Sequence, residues 1–247
     1  MRRIVIIGGT SLIAVHCARQ WISGQPVDLT LVGRDRRRLE IVAADLRVRN
    51  PTSLIEVVVT DFIDPVAVQE TVDAVASGGP VDVVLVAHGT LPDQAVTEGS
   101  LPLTRDAIVV NAMSPALFAE GFANQMLLAG SGTLALIGSV AGDRGRRSNY
   151  IYGASKALLS AFVSGLQHRV AGTNVKVVFI KPGPTETPMT NHLKSEGARL
   201  APVADVAVSV VRAIDRGTLV VYVPGVWRLI MFVVKAIPAR IFNRLPL

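Results

Sequence analysis

Seven short apolar runs alternate with helix-like stretches along this chain of 247 residues. The runs cover residues 4–7, 27–32, 54–59, 81–86, 133–137, 175–180 and 219–223. Short, continuously apolar runs separated by helices are typical of parallel strands that are buried on both faces. Half of the residues are apolar and only 18% are charged, which excludes a disordered chain. The pattern predicts a single α/β domain, residues 1–247, built on a doubly wound parallel sheet of about seven strands.

The turn after the first run is rich in glycine. Gly8 and Gly9 are followed by Thr-Ser-Leu-Ile-Ala and by a helical pattern that extends to about Ile22. In such a strand–turn–helix unit, backbone N–H groups and the helix N-terminus face the pyrophosphate of a dinucleotide. The turn therefore predicts a Rossmann-type nucleotide site, although an ordinary glycine turn has the same appearance. The predicted contacts come from Gly8, Thr10, Ser11, Leu12 and Ile13.

The end of the second run indicates which dinucleotide is bound. It reads Gly33-Arg34, followed by Asp35 and three more arginines. An acidic residue at this point accepts a hydrogen bond from a free ribose 2′-hydroxyl, whereas an arginine suits a 2′-phosphate. Arg34 therefore predicts NADPH, although Asp35 leaves the opposite choice open. Arg37 and Arg38 are expected to be solvated at the start of the following helix.

Tyr152, Lys156 and Ser139 carry the chemistry that the sequence predicts. Tyr152 and Lys156 are four positions apart in a stretch of helical pattern, so their side chains lie one turn apart. A phenol has a pKa of about 10 in water, and a nearby ammonium lowers that pKa because it favours the phenolate. Ser139 follows the fifth run, where its hydroxyl can hold a carbonyl oxygen. The set predicts a proton donor, the group that tunes it and a clamp for a carbonyl.

These residues, with Asn111, resemble the active site of the short-chain dehydrogenase/reductase family, and the resemblance covers nearly the whole chain. It implies catalytic roles for Ser139, Tyr152, Lys156 and Asn111. Asn111 would act through its main-chain carbonyl, which holds a water that links the lysine to solvent. Pro115 has no N–H to offer that carbonyl, which leaves the carbonyl free unless the proline only kinks the helix.

The resemblance also implies the remaining cofactor contacts. The family has Gly-x-x-x-Gly-x-Gly at the pyrophosphate turn, and here Leu12 and Ala14 replace two of those glycines. His88 stands where the family often has asparagine, and it is expected to be structural. Residues 189–202 are a candidate lid over the substrate. The implied contacts are Asp61 to the adenine, Ala87 and Gly89 beside the cofactor, Lys156 to the nicotinamide ribose, and Pro182, Gly183, Thr185 and Thr187 at the nicotinamide.

The C-terminal tail, residues 224–247, is apolar and basic. From Arg216 to the C-terminus the chain has five basic residues and no acidic one. The loop after Ser139 is also basic, with Arg144, Arg146 and Arg147. Together the two segments favour an amphiphilic substrate with a phosphate and a long apolar chain. The tail is too short and too charged to span a bilayer, but it could lie among lipid headgroups or wall a lipid channel. Nucleic-acid binding is the weaker interpretation, because large apolar residues separate the charges.

Within the family, the same stretches resemble the reductases of polyprenylphosphoryl 2-keto-pentoses. This resemblance implies NADPH-dependent reduction of the 2-keto group to the arabinose form, in the synthesis of cell-envelope arabinan precursors. It also implies a flavin-dependent oxidase as a partner. Two alternatives stay open: a reductase of another lipid-linked ketone, such as a 3-ketoacyl thioester, and a non-catalytic binding protein that senses NADP(H).

Assembly and location follow from smaller features. Gly153, Ala154, Ala157 and Ala161 let a second helix approach closely, and members of the family pair through this helix, so a homodimer or homotetramer is expected. The N-terminal apolar run is too short for a secretory signal. The single cysteine, Cys17, excludes an internal disulfide and is expected to be a buried, inert thiol. The chain is predicted to be cytoplasmic and free of metal, with peripheral contact to the inner membrane face as a further option.

Overall fold

The structure is a computed structural model, and it describes residues 1–191 and 197–245. Seven parallel strands form one sheet in the order β3-β2-β1-β4-β5-β6-β7. The strands are β1 (Arg2–Ile7), β2 (Val27–Gly33), β3 (Leu54–Val59), β4 (Val83–Val86), β5 (Gly132–Ile137), β6 (Val175–Pro182) and β7 (Val220–Val223). The predicted number and parallel arrangement of the strands are confirmed. The order reverses between β1 and β4, which is the switch point where open α/β sheets bind ligands.

The helices between the strands cover both faces of the sheet. They are α1 (Leu12–Gly24), α2 (Arg36–Arg49), α3 (Pro65–Ser77), α4 (Gln94–Glu98), α5 (Leu101–Ile108), α6 (Ser114–Ala129), α7 (Tyr150–Arg169), α8 (Val203–Arg216), α9 (Val226–Ala236) and α10 (Ala239–Phe242). A π-helical turn, Val109–Met113, joins α5 to α6, and short 3-10 turns cover Val140–Asp143 and Pro188–Thr190.

Each face of the sheet has its own apolar core. Ile4 and Ile6 of β1 pack toward α1, α2 and α8, whereas Val5 and Ile7 pack toward α3, α6 and α7. Adjacent residues of a strand point to opposite faces, so a strand that is covered on both sides must be apolar throughout. Cys17 lies in the first core and is fully buried, and burial raises the pKa of its thiol. This agrees with the inert thiol that the sequence predicts.

The C-terminal tail docks beside the carboxyl ends of β6 and β7. Arg144 donates from Nη1 to the carbonyl oxygens of Val234 and Ile237, at 2.6 Å each, and its guanidinium lies 3.7 Å from the ring centre of Phe242. Met231 of α9 is completely buried. Arg144 therefore holds the tail in place, since it binds the carbonyls that the end of a helix leaves without intrahelical donors. Of the three arginines that make this loop basic, Arg144 is therefore a structural residue.

The structure divides the small residues of α7 between two roles. Gly153 packs inside the molecule, where an added Cβ would lie 2.9 Å from the carbonyl oxygen of Ala141. Ala154 and Ala161 are exposed, and so is Leu158 between them at 45%. Only this exposed part of the stripe is available to a second copy, so dimerisation through α7 stays a prediction.

We expect light scattering at micromolar concentration to give at least twice the protomer mass of 26.2 kDa. Ala161→Arg places a long charged side chain in the exposed stripe and should shift the protein toward the monomer. Ala44→Arg, on the exposed face of α2, is the matched control and should leave the mass unchanged. A wild-type protein with the protomer mass would refute the prediction.

Candidate active site

A cavity of about 550 Å³ opens at the carboxyl ends of the central strands. It begins at the glycine turn after β1, passes the ends of β2, β4 and β5, and ends at the loop after β6. Among the predicted site residues, all but Asp61 line it. They are Gly8, Thr10, Ser11, Leu12, Ile13, Arg34, Ala87, Gly89, Asn111, Ser139, Tyr152, Lys156, Pro182, Gly183, Thr185 and Thr187.

The glycine turn has the shape that a pyrophosphate site needs. Gly8 has a φ of 87°, and an added Cβ would lie 2.7 Å from the backbone nitrogen of His88. Both facts require glycine at this position. Ser11 makes no side-chain capping bond at the start of α1, so its hydroxyl has no partner in the helix end that it precedes. Leu12 begins α1 at a family glycine position and lines the cavity.

Two arginines line the cavity near the end of β2. Arg34 follows Gly33 as predicted, and Arg38, in the first turn of α2, also lines the cavity. The expectation that Arg38 is only solvated is therefore incomplete, because its exposed side chain also lines the cavity. Asp35 caps α2 by accepting from the Arg38 N–H at 3.1 Å. A carboxylate used in this way leaves the two guanidinium groups to face an anionic ligand.

Asp61 lies outside the cavity wall that it was predicted to join. Its carboxylate accepts from the Ile63 N–H at 2.9 Å and so stabilises its own turn. The next two residues, Phe62 and Ile63, line the cavity, and the contact between Asp61 and the adenine stays a prediction. The sequence alone does not show which side chain among residues 61–63 faces the cavity, because the direction of each depends on how the turn after β3 closes.

Ser139, Tyr152 and Lys156 meet at the end of β5. Lys156 Nζ donates to the carbonyl oxygen of Ile137 at 3.1 Å and lies 5.8 Å from the ring centre of Tyr152. Ser139 precedes the 3-10 turn, where its hydroxyl accepts from the Ala141 N–H at 3.1 Å. An added Cβ on Gly142 would lie 2.7 Å from the Lys156 backbone, so this glycine lets the serine loop pack against α7.

Burial controls the proton chemistry of this group. It raises the pKa of the Tyr152 phenol, and a hydrogen bond from the Ser139 side chain acts in the opposite direction. Burial also lowers the pKa of Lys156 to about 8. The pKa of Tyr152 is thus raised, so the prediction that Lys156 lowers it is wrong, because burial of the phenol dominates. The tyrosine therefore keeps its proton near neutral pH and can donate it to a carbonyl oxygen. The lysine is mostly an ammonium below pH 8 and stabilises the phenolate that remains after the transfer.

Asn111 lies fully buried in the π-helical turn between α5 and α6. Ser114 N–H donates to the Val109 carbonyl, five residues back, and Pro115 has no N–H for the Asn111 carbonyl. The change from α to π geometry at this proline supports a backbone opening rather than a simple kink. The Asn111 side chain is fixed, since Nδ2 donates to the Ala107 carbonyl at 2.9 Å and Oδ1 accepts from the Thr90 N–H at 2.8 Å.

His88 is structural, as predicted. Its Nε2 lies 2.8 Å from the Ser114 hydroxyl, and its ring packs edge-on against Phe62 at 4.6 Å between centroids. Burial lowers the pKa of His88 to about 3, and the charges of Lys156 and Arg34 act in the same direction. A neutral imidazole held in this way shapes the floor of the cavity and does not shuttle protons at neutral pH.

The loop after β6 closes the other end of the cavity. Thr185 is buried and donates to the Gly183 carbonyl at 3.0 Å. An added Cβ on Gly183 would overlap the indole of Trp227, so α9 of the tail packs directly on this loop. Met189 and Thr190, at the start of the candidate lid, line the cavity, whereas residues 192–196 of that segment lie outside the described residues.

Two further polar residues, Arg146 and Asn149, line the same cavity beside Tyr152 and were not assigned from the sequence. The basic composition of their loop was noted, but nothing in the sequence distinguishes the one arginine that reaches the cavity from its neighbours. That distinction depends on the course of the loop between the 3-10 turn and α7.

The chain also matches known proteins over most of its length. Residues 2–198 match the short chain dehydrogenase family. An uncharacterised oxidoreductase of Streptomyces coelicolor is 35% identical over 246 residues, which cover 99% of this chain and 96% of that protein. An uncharacterised oxidoreductase of Mycobacterium tuberculosis is 31% identical over 246 residues, with coverage of 98% and 96%.

Solved structures share the fold at lower identity. A short-chain dehydrogenase from Sphingobium yanoikuyae in complex with NADPH has a TM-score of 0.82 and 21% identity, with 97% of each chain covered. Actinorhodin polyketide ketoreductase with NADPH has a TM-score of 0.80 and 22% identity, with 90% of this chain and 95% of that chain covered. The family match, the relatives and the Ser–Tyr–Lys geometry agree: the chain belongs to the short-chain dehydrogenase/reductase family and is an oxidoreductase of alcohol and ketone groups.

Proposed function

We propose that this protein uses NADPH to reduce the 2-keto group of a polyprenylphosphoryl keto-pentose to the arabinose form. The observation that carries the proposal is the arrangement at the cavity mouth. Tyr152, the proposed proton donor, and the half-buried guanidinium of Arg146 line the same cavity, and Arg146 contacts Met231 of the apolar helix α9. A ketone, an anionic group and a long apolar chain on one molecule would match these three surfaces.

The chain's own residues supply the proton that the carbonyl oxygen gains in the reduction. When bound, NADPH supplies the hydride that reduces the carbonyl carbon. The Ser139 hydroxyl holds the carbonyl oxygen, and the Tyr152 phenol gives that oxygen its proton, so the carbonyl becomes a secondary alcohol. Lys156 stabilises the resulting phenolate. The phenolate regains its proton from solvent through the lysine and the backbone opening at Asn111.

The residues around the cavity fit NADPH, and the choice over NADH is part of the proposal. Gly8 leaves the backbone of the pyrophosphate turn open, and Arg34 and Arg38 supply two guanidinium groups where a 2′-phosphate would lie. The complexes of the related structures named above contain NADPH, which supports the choice.

We expect kcat/KM with NADPH to exceed that with NADH by at least about tenfold, because a charge-assisted contact to phosphate contributes roughly 1.5–3 kcal/mol. Arg34→Ala and Arg38→Ala should each lower kcat/KM for NADPH and leave that for NADH nearly unchanged. Arg37→Ala, an exposed neighbour that does not line the cavity, is the control. Equal values of kcat/KM for the two cofactors in the wild type would contradict the assignment.

The substrate is tested by direct conversion. Purified protein with NADPH and a decaprenylphosphoryl 2-keto-pentose should form the arabinose epimer, detected by mass spectrometry and by loss of NADPH absorbance. Tyr152→Phe should still bind NADPH but lose at least 99% of the turnover, since the ring stays and the proton donor is gone. Reduction of a 3-ketoacyl thioester, without conversion of the keto-pentose, would select the alternative reductase. NADPH binding without reduction of either ketone would select the sensor.

The tail supports peripheral contact with an anionic membrane. No helix of residues 1–191 and 197–245 is long and apolar enough to cross a bilayer. On α9, however, the outward side chains of Leu229, Phe232 and Val233 are 66%, 72% and 54% exposed. Arg228 and Lys235 are exposed as well and, being seven positions apart, share one edge of the helix, whereas Met231 is buried. An apolar face with cationic edges is typical of helices in the headgroup plane.

We expect the protein to sediment with vesicles that contain phosphatidylglycerol, and to be released by salt, because each cation contributes about 1 kcal/mol near an anionic surface. Changing Arg228, Lys235, Arg240 and Arg244 to Gln should abolish sedimentation but preserve activity on a short water-soluble ketone. Arg36→Gln with Arg37→Gln, on exposed α2, is the control. Wild-type protein that stays in the supernatant at low salt would show that the tail is only structural.

A further inference from the structure

We infer that Arg146 and Asn149 form a subsite for the substrate, in which Arg146 binds a chain-linked phosphate and Asn149 accepts from a hydroxyl of the group next to it. Both residues line the cavity on the loop that joins Ser139 to Tyr152. The inference deepens the proposed function and rests on it for the identity of the substrate.

Arg146 is a half-buried cation without a carboxylate partner. Among the described residues, no carboxylate oxygen lies within 4.0 Å of its guanidinium, and its one hydrogen-bond contact is from Nη2 to Met231 Sδ at 3.4 Å. A thioether is a weak acceptor, and a guanidinium has five N–H donors. Arg146 therefore keeps most of its donors for a ligand, since a charge at this depth needs a partner.

The neighbouring acid, Asp143, is already used. Its Oδ1 accepts from Lys181 at 2.5 Å, and its Oδ2 accepts from the Tyr222 hydroxyl at 2.7 Å. Its side chain is only 2% exposed, so no lone pair faces open solvent. Asp143 attracts Arg146 at longer range. The ion pair with Lys181 nevertheless cancels one full charge, which leaves the positive charge of Arg146 uncompensated.

The other arginines of the loop do not share this position. Arg144 donates to carbonyl oxygens of the tail and packs on the ring of Phe242. Arg147 is exposed and does not line the cavity. The arginines that bind the cofactor in the proposal, Arg34 and Arg38, belong to the opposite side of the cavity after β2. One loop arginine therefore remains for a second anion near the reacting carbonyl.

Asn149 supplies a complementary acceptor. Its Oδ1 is buried and has no hydrogen-bond partner, although buried amide oxygens are normally paired. The side chain makes no capping bond to α7, which starts at the next residue. A donor from a bound molecule would satisfy this oxygen. A guanidinium and an amide oxygen three residues apart, in one cavity wall, fit a phosphate that is linked to a hydroxylated ring.

The test measures binding rather than turnover, in protein saturated with NADP⁺ so that the cofactor site is filled. Calorimetry below the micelle concentration compares decyl phosphate with decanol and with inorganic phosphate. We expect the wild type to bind decyl phosphate at least tenfold more tightly than either. Arg146→Gln should lower the affinity for decyl phosphate at least tenfold, and Arg146→Lys should restore part of that affinity. Arg147→Gln should change the affinity less than twofold.

A second arm tests Asn149 with decyl β-D-arabinofuranosyl phosphate, which adds ring hydroxyls to the same chain and phosphate. Asn149→Leu should lower the affinity for this sugar ligand several-fold and leave decyl phosphate unchanged. NADP⁺ affinity and circular dichroism of each variant serve as the check on folding.

The inference is overturned if Arg146→Gln and Arg147→Gln lower the affinity for decyl phosphate equally, or if neither variant lowers it. It is also overturned if inorganic phosphate binds as tightly as decyl phosphate. None of these readouts needs reduction of a ketone. Failure of the subsite is therefore distinct from failure of the proposed function, which the conversion of the keto-pentose measures.

Discussion

The buried ammonium of Lys156 is the interaction on which the active site depends. The amine lies in the same cavity as the Tyr152 phenol, bound to the carbonyl of Ile137, and burial brings its pKa to about 8. An added Cβ on Gly89 would lie 3.6 Å from Lys156 Nζ and 2.7 Å from Asn111 Oδ1. The loop after β4 therefore needs glycine at position 89, because a side chain there would clash with Asn111 of the π-helical turn. The strand ends, α7 and the opened helix are all positioned around this one group.

A second buried charge connects the catalytic loop to the tail. Asp143, in the 3-10 turn after Ser139, binds Lys181 of β6 and Tyr222 of β7. Burial, and secondly the Asp143 carboxylate, raise the pKa of Tyr222 to about 12. Removal of one partner from a buried pair of this kind is strongly destabilising, because it leaves a charge without compensation. Arg144, the next residue, then binds the end of α9. The loop that carries Ser139 thus binds both the sheet edge and helix α9 of the tail.

Local sequence patterns predicted the structure correctly where a feature depends on spacing within one helix or strand. Tyr152 and Lys156 share a helix face by their spacing alone, and the apolar runs become strands because both faces of the sheet are covered. Predictions that depended on side-chain direction were less complete. Asp61 caps its own turn, Arg38 joins the cavity, and Gly153 packs closely against Ala141 inside the molecule. The contact of Gly153 depends on Ala141, twelve positions away in the sequence. Asp61 binds the N–H of Ile63, only two positions away, but the sequence does not show how that turn closes.

The sequence by itself determined the class of fold, the glycine turn after the first strand, and the pairing of Tyr152 with Lys156 on one helix. These depend on hydrophobic period and on residues a few positions apart, so the chain carries them locally. The tertiary structure decided which charged side chains are paired inside the protein and which one faces the cavity. Asp143, Arg144 and Arg146 are close neighbours in the chain, yet one is paired across the sheet edge, one holds the tail and one lines the cavity. Partners that are 38 to 93 positions away make that difference, and only folding brings them within hydrogen-bonding distance.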